Sequence, residues 1–393
     1  MAQGPRTFNP KLCRSLLSFL APPFQAIKGR MKKSKASPPP VRPLYAFLLV
    51  AAALLLGLLV QPRPGLRIVR LRPVLAPEQD APPPAIPDRI RVASYNLEHF
   101  TDGRNDGPER TPEVFMAHAR AAAAIIAEAN PDLLVLQEIE NGRTLEFLND
   151  QFADPYPYIY ISKLRHSSGE NEKLNLAMLS RLRPGTVRQL GFYNLEGVGR
   201  PTRGALSAEF DLGGDARLLV YDIHLKSNFG EAPKNQAQRA IGLHHIAADA
   251  ISQNLRNLPA STSALILGDT NVDPDSAAFA RDPSLEPLAG SYVDLWRGRP
   301  IAERTTIPMR QAGETGDPLL VFDPSAFDRV FASKNMAGDG PWRVSPPQAI
   351  QKGADTANNL TPPGLNGHVS DHYLVYVDLT RNPDYAPPAP TWP

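Results

Sequence analysis

Leu133-Leu134-Val135-Leu136-Gln137-Glu138 is an apolar run that stops on an amide and a carboxylate. Consecutive branched apolar side chains read as a strand buried on both faces. A carboxylate at its end is costly to bury unless paired or bound to metal. Working outward, the arrangement recurs. Residues 90–93 lead to Ser94-Tyr95-Asn96-Leu97-Glu98, residues 218–223 to His224-Leu225-Lys226-Ser227, and residues 264–267 to Gly268-Asp269-Thr270-Asn271. A segment ending at Val369 leads to Ser370-Asp371-His372. Buried strands that repeatedly stop at Asn, Glu, His or Asp place one site at a common sheet edge. Carboxylates, amides and two histidines suit a hard divalent cation plus proton-transfer groups, the equipment for hydrolysing a phosphate ester.

Thr111-Pro112 opens a helix expected to run to Asn130, with a strand over 132–136 after it. A second helix is expected over 143–149, strands near 156–161, 174–179, 186–191 and 205–210, and a long helix over 235–255. Strands and helices alternate at first and several strands then follow in succession, which indicates an α/β fold.

The five motifs, in this order, resemble the endonuclease/exonuclease/phosphatase superfamily, whose members include DNase I-like nucleases, abasic-site endonucleases, neutral sphingomyelinases and inositol polyphosphate phosphatases. The resemblance covers residues 89–380. It implies a four-layer α/β/β/α sandwich of two packed mixed sheets, with the site at one end of both sheets. It also implies Mg²⁺, with Mn²⁺ possible, as the cofactor.

By that resemblance Glu138 is the principal metal ligand, Asn96 lies beside the metal, and Asp371 helps to hold it or orients water. Asp269 orients or deprotonates the attacking water and Asn271 holds the phosphate. Two residues apart on an extended segment, both side chains can point the same way. His224 acts as general acid or stabilises the transition state, and His372 does so at the scissile phosphate with Asp328 orienting its ring. Arg203 grips a phosphate bidentately. Asn175 sits where relatives carry an acidic residue or Asn, and Lys226 and Asn228 could meet the phosphate. The plainer readings are an exposed loop Glu at 138 and ordinary turn chemistry at Asp269-Thr270-Asn271. Glu98 reads as a solvated loop residue, while Asp273 and Asp275 read as caps of a short turn. His118, His166 and the pair His244-His245 match no motif.

The first ninety residues differ from the rest. Nine Lys and Arg precede residue 44 with no Asp or Glu, and residues 44–60 (LYAFLLVAAALLLGLLV) then run without a charge. At 1.5 Å per residue such a helix is about 25 Å long, at the short end for a membrane span. The basic flank places residues 1–43 in the cytoplasm and the remainder in the periplasm or exterior, on a single-pass inner-membrane anchor. A cleaved signal peptide lacks a small-residue cleavage pattern after the apolar run. Residues 61–88 and 381–393 are rich in Pro and read as a tether and a tail. The lone cysteine, Cys13, precedes the apolar run, so no disulfide is available to the exported part.

The chain carries 42 basic and 40 acidic residues. After residue 44 the balance is 33 basic against 40 acidic, a net charge of −7. That excludes the broad basic surface of a tight, non-specific nucleic-acid binder. No aromatic-basic interleaving is evident either. A membrane-anchored nuclease remains the first expectation, with a sphingomyelinase-like phosphodiesterase and a non-catalytic binding module as alternatives. No obligate protein partner is inferred.

Overall fold

Neighbouring residues of each central strand enter different cores, and this alternation builds the layers. In the computed structural model, Leu133 and Val135 face one apolar cluster while Leu134 and Leu136 face another. Leu218 and Val220 likewise join the first cluster, whereas Leu219, Tyr221 and Ile223 enter a third. The period-two geometry of a strand thus buries both of its faces. The structure describes residues 66–386 apart from 79–81, 105–109, 166–169, 194, 196, 198–199, 202, 215, 258–261, 309, 312–320 and 357–360.

The strands are β1 (Arg67–Arg70), β2 (Arg89–Phe100), β3 (Leu133–Ile139), β4 (Tyr158–Ile161), β5 (Asn175–Ser180), β6 (Val187–Gly191), β7 (Ala205–Asp211) and β8 (Arg217–His224). They continue with β9 (Thr262–Asp269), β10 (Tyr292–Asp294), β11 (Arg310–Gln311), β12 (Val321–Phe322), β13 (Asp328–Ser333), β14 (Trp342–Val344), β15 (Gln348–Ile350) and β16 (Leu374–Arg381). One sheet runs β1-β6-β7-β8-β9-β13-β10, and the other runs β14-β16-β2-β3-β5-β4 with β15 beside β16. Only β2/β3 and β8/β9 pair in parallel, so both sheets are mixed.

The cluster containing Val92, Val135, Leu206, Val220, Leu267 and Val377 draws on both sheets. Helices α1 (Pro112–Ala129) and α2 (Gly142–Asn149) cover the outer face of the second sheet through Ala119, Ala122, Ile126, Leu145 and Leu148. Helix α3 (Ala232–Asn257) covers the first through Leu243, Ile246 and Ala250. The order is α/β/β/α, as the resemblance implied. Helix α1 starts where the Thr111 side chain accepts the Val114 N–H with Pro112 in the first turn, and it ends at left-handed Asn130.

Two expectations are revised. Residues 67–70, read as part of a tether, form β1 and pair with β6, and Leu75 bridges Ile159. The β-branched pair Ile68-Val69 favours a strand at a free sheet edge. No strand ends at Val369; Ser370-Asp371-His372 instead precedes β16. Because β16 runs antiparallel to β2, with Val375 opposite Ser94, its start reaches the edge where β2 ends. The apolar span over 44–60, the basic segment before it and most of the 381–393 tail lie outside the described residues. Among the described residues no helix is long and apolar enough to cross a membrane.

Candidate active site

The parallel pairs β2/β3 and β8/β9 deliver Asn96, Glu138, His224 and Asp269 to one edge of the sandwich. Asn96 Nδ2 lies 3.3 Å from Glu138 Oε1, 3.3 Å from Asp269 Oδ2 and 3.4 Å from His372 Nε2. It therefore ties the two sheets together at the site. Delivery requires local strain: Glu98, His99, Glu138 and Asn271 all have positive φ, at 43°, 54°, 67° and 56°. Non-glycine residues in that region mark positions the surroundings over-determine, and these cluster at functional sites. Gly268 meets a stricter demand, since a Cβ there would lie 2.0 Å from the Ile223 carbonyl oxygen.

His372 and Asp328 form the best-defined pair. The ring Nδ1 lies 2.8 Å from Asp328 Oδ2. Burial opposes charge on the ring, but Asp328 and Asp371 outweigh it and hold His372 well above the ordinary imidazole range. Its Nε2 faces Asp371 Oδ1 at 3.7 Å and Asp269 Oδ2 at 3.9 Å. Asp328 reaches this edge because β13 runs antiparallel to β9, with Asp328 opposite Asp269.

His224 is the opposite case. Its Nε2 contacts the Arg203 guanidinium, a group that can only donate. The same Nε2 lies 3.3 Å from Asp269 Oδ2 and 3.6 Å from Glu138 Oε1. Burial and Arg203 push its pKa well below the ordinary value. Arg203 also donates to the Leu225 carbonyl at 3.0 Å. Two imidazoles with pKa values driven apart are the pattern of divided acid–base roles.

Asp269 accepts the Asn271 N–H at 2.8 Å and the Asn271 side-chain amide at 2.9 Å. Burial raises its pKa, and Asp371 adds to the rise. Burial also pushes Glu138 upward, but His224, His99 and Arg203 prevail and lower it. Glu138 Oε2 accepts the His99 N–H at 2.9 Å.

Several assigned residues sit otherwise than expected. The Asn96 oxygen accepts the Glu98 N–H at 3.0 Å, so its nitrogen, rather than its oxygen, faces the carboxylates. Asn175 has no contact with His224. Its amide donates to the carbonyls of Glu140 and Glu172, and its oxygen accepts from Ser162 and Leu164, beside a cavity of about 250 Å³. Lys226 turns onto its own loop, donating to Ser227 and to the Phe229 carbonyl at 2.8 Å. Asn228 is held between Arg239 and the Asn271 carbonyl. Asp273 is buried against Arg304 and Arg329, an ion-pair hub away from the site edge.

The sequence reading missed the Glu98–His368 pair. His368 Nδ1 accepts the Asp355 N–H at 3.0 Å, so Nε2 carries the proton and donates to Glu98 Oε2 at 2.7 Å. The same Glu98 oxygen accepts the Asp371 N–H at 2.8 Å. Glu98, read as a solvated loop residue, therefore pins the Asp371 backbone. The only cue was a His four residues before His372, without periodicity to place it.

A hard dication fits this donor set. Mg²⁺ keeps most of its waters and needs one or two carboxylates, which Glu138 and Asp371 can supply. Burial and the neighbouring Asp371 raise the Glu98 carboxyl, a crowding of negative charge that a dication relieves. Among the described residues no three His, Cys, Asp or Glu side chains form a preassembled cage, and a largely hydrated ion does not require one.

No curated protein matches the chain by sequence. Among solved structures, truncated TDP2 from Caenorhabditis elegans is similar at a TM-score of 0.50 and 19% identity, over 74% of this chain and 98% of that one. Sphingomyelinase C from Streptomyces griseocarneus is similar at 0.51 and 20% identity, over 74% and 99%. Those likenesses concern the fold. The profile of the endonuclease/exonuclease/phosphatase family matches residues 93–372, the stretch running from β2 to His372, and the chain belongs to that family.

Proposed function

We propose that this protein is a divalent-cation-dependent phosphodiester hydrolase that acts on nucleic acid, using Mg²⁺ or in its place Mn²⁺. The observation that carries this reading is the charged His372–Asp328 pair facing buried Asp269 across a carboxylate-rich edge. Glu138 would hold the cation with Asp371 and Asn96 alongside. When bound, the cation polarises the phosphoryl oxygens and offsets the charge developing on phosphorus.

The chain's own residues do the rest. Asp269, raised by burial, orients a water and accepts its proton as oxygen attacks phosphorus. Arg203, positioned by His224 and the Leu225 carbonyl, grips a non-bridging oxygen. His372 donates its Nε2 proton to the leaving oxygen, so one diester and one water give a monoester and an alcohol. Asp328 fixes the tautomer that puts this proton on Nε2. Asn271 keeps the Asp269 carboxylate aimed through its two hydrogen bonds.

The membrane anchor over 44–60 and a site facing the periplasm or exterior belong to the same proposal, on the charge asymmetry around that span. A reporter fused after Pro393 should then behave as exported; full-length chain recovered free in the cytoplasm would remove the anchor. For the activity, full-length protein in detergent should be assayed on single-stranded DNA, duplex DNA, RNA and sphingomyelin vesicles, with Mg²⁺ and with chelator. Nucleic-acid cleavage lost in chelator is expected. Phosphocholine release without nucleic-acid cleavage would replace the substrate assignment with a lipid one.

A further inference from the structure

We propose that Phe229 is a stacking platform for one unpaired nucleobase of the substrate, next to the scissile phosphodiester. The inference rests on the nucleic-acid reading above and adds that the strand there is single. Phe229 is 86% exposed and is the only aromatic among the exposed large hydrophobic residues described.

Its position is built rather than left over. The Phe229 carbonyl accepts Lys226 Nζ at 2.8 Å and Asn235 Nδ2 at 3.1 Å, and Gly230 makes the turn after it at φ 103°. One residue earlier, Asn228 donates to the Asn271 carbonyl at 2.9 Å and accepts Arg239 Nη1 at 3.1 Å. The loop between β8 and α3 is thus fastened to the segment carrying Asp269 and Asn271, and it holds a bare ring in solvent beside them. A held backbone leaves only the two side-chain torsions of Phe229 to be ordered when a flat partner covers the ring.

The surroundings select the partner. Lys226, in the same loop, lies within electrostatic reach of Arg203, Arg239 and exposed Lys234, a local cationic spot in a part of the chain whose net charge is −7. Cations beside an exposed aromatic are the elements of single-strand binding, where phosphates meet the charges and a base stacks on the ring. A base inside a duplex has both faces covered by its neighbours, so only an unpaired base can use this surface. A lipid-inserting surface would need several apolar side chains together. On residues 224–231 Phe229 is the only exposed apolar side chain, and Glu231 sits two residues away.

The test is a double-mutant cycle on full-length protein with Mg²⁺. Single-stranded DNA oligomers, intact or carrying one abasic residue at each position in turn, are compared for wild type, Phe229→Ala and Phe229→Trp. Phe229→Ala should lower kcat/KM on the intact strand about 5- to 100-fold, and Phe229→Trp should restore most of it. On the strand lacking the stacked base, wild type should show the same loss and Phe229→Ala should add little to it. An unchanged kcat/KM in Phe229→Ala, or a loss of equal size on every abasic strand, overturns the inference while leaving the nuclease reading standing. Intact oligomers with wild type, together with phosphocholine release from sphingomyelin vesicles, overturn both.

Discussion

His372 Nδ1 and Asp328 Oδ2 lie 2.8 Å apart although 44 residues separate them, because β13, antiparallel to β9 in one sheet, and β16, antiparallel to β2 in the other, both begin at the site end of the sandwich. The pair acts as a unit. Asp328→Asn leaves the shape but loses the charge that stabilises the imidazolium, and should cost about 100-fold or more in kcat. Combining it with His372→Ala should cost little beyond His372→Ala alone. Multiplicative losses in the double variant would mean that Asp328 works elsewhere.

Strand β1 belongs to the catalytic unit rather than to a tether. It pairs with β6 over four residues, and Leu71, Val74 and Ile159 add backbone bonds to the domain. At about 0.5–1.5 kcal/mol net per hydrogen bond, its loss should cost a few kcal/mol. A fragment beginning at residue 84 should therefore unfold at lower denaturant concentration than one beginning at residue 62. Equal midpoints would return residues 66–78 to the linker.

His118, which has no role in the proposed chemistry, offers a pH dependence of stability. It is buried against Phe100, with ring centroids 5.0 Å apart, and burial and then Arg110 lower its pKa to about 3. Unfolded, the same ring titrates near 6.5. A depressed folded value means that the stability is present above the unfolded pKa and is lost as pH falls below it. Between about pH 6 and 4, His118 should contribute a slope near 1.4 kcal/mol per pH unit. Measured by urea unfolding across that window, His118→Phe should flatten the slope; an unchanged slope would place the titrating group elsewhere.

Gly268 has no tolerated replacement. With φ at 136° and a Cβ 2.0 Å from the Ile223 oxygen, Gly268→Ala must push apart the parallel pair that delivers His224 and Asp269. A loss of about 2 kcal/mol or more is expected, read from the denaturation midpoint. Wild-type stability and activity in that variant would contradict the register.

What the sequence made legible follows from how strands end. Glu138, His224 and Asp269 close the apolar runs of β3, β8 and β9, so their delivery to one edge could be read, whereas the four layers were implied only by the family resemblance. Asp328 opens β13 and His372 lies just ahead of β16; only the motif resemblance reached them, and no described strand ends at Val369. The hydrogen bonds of Asn175 to Ser162, Leu164 and Glu172 involve residues outside the strands, which have no period to read. The Glu98–His368 contact joins residues 270 apart, the end of β2 to the segment ahead of β16, a relationship fixed by tertiary packing alone.

The most direct test pairs activity with binding in wild type and Glu138→Ala. Full-length protein should cleave single-stranded DNA with Mg²⁺, lose that activity in EDTA, and show a higher Tm when Mg²⁺ is added, as a ligand of the folded state requires. Glu138→Ala should keep its fold while losing both the cleavage, by several orders of magnitude, and the Mg²⁺-dependent rise in Tm. Cleavage that persists in EDTA, or a Glu138→Ala variant with wild-type turnover and the same Mg²⁺ response, would contradict a hydrolase centred on Glu138.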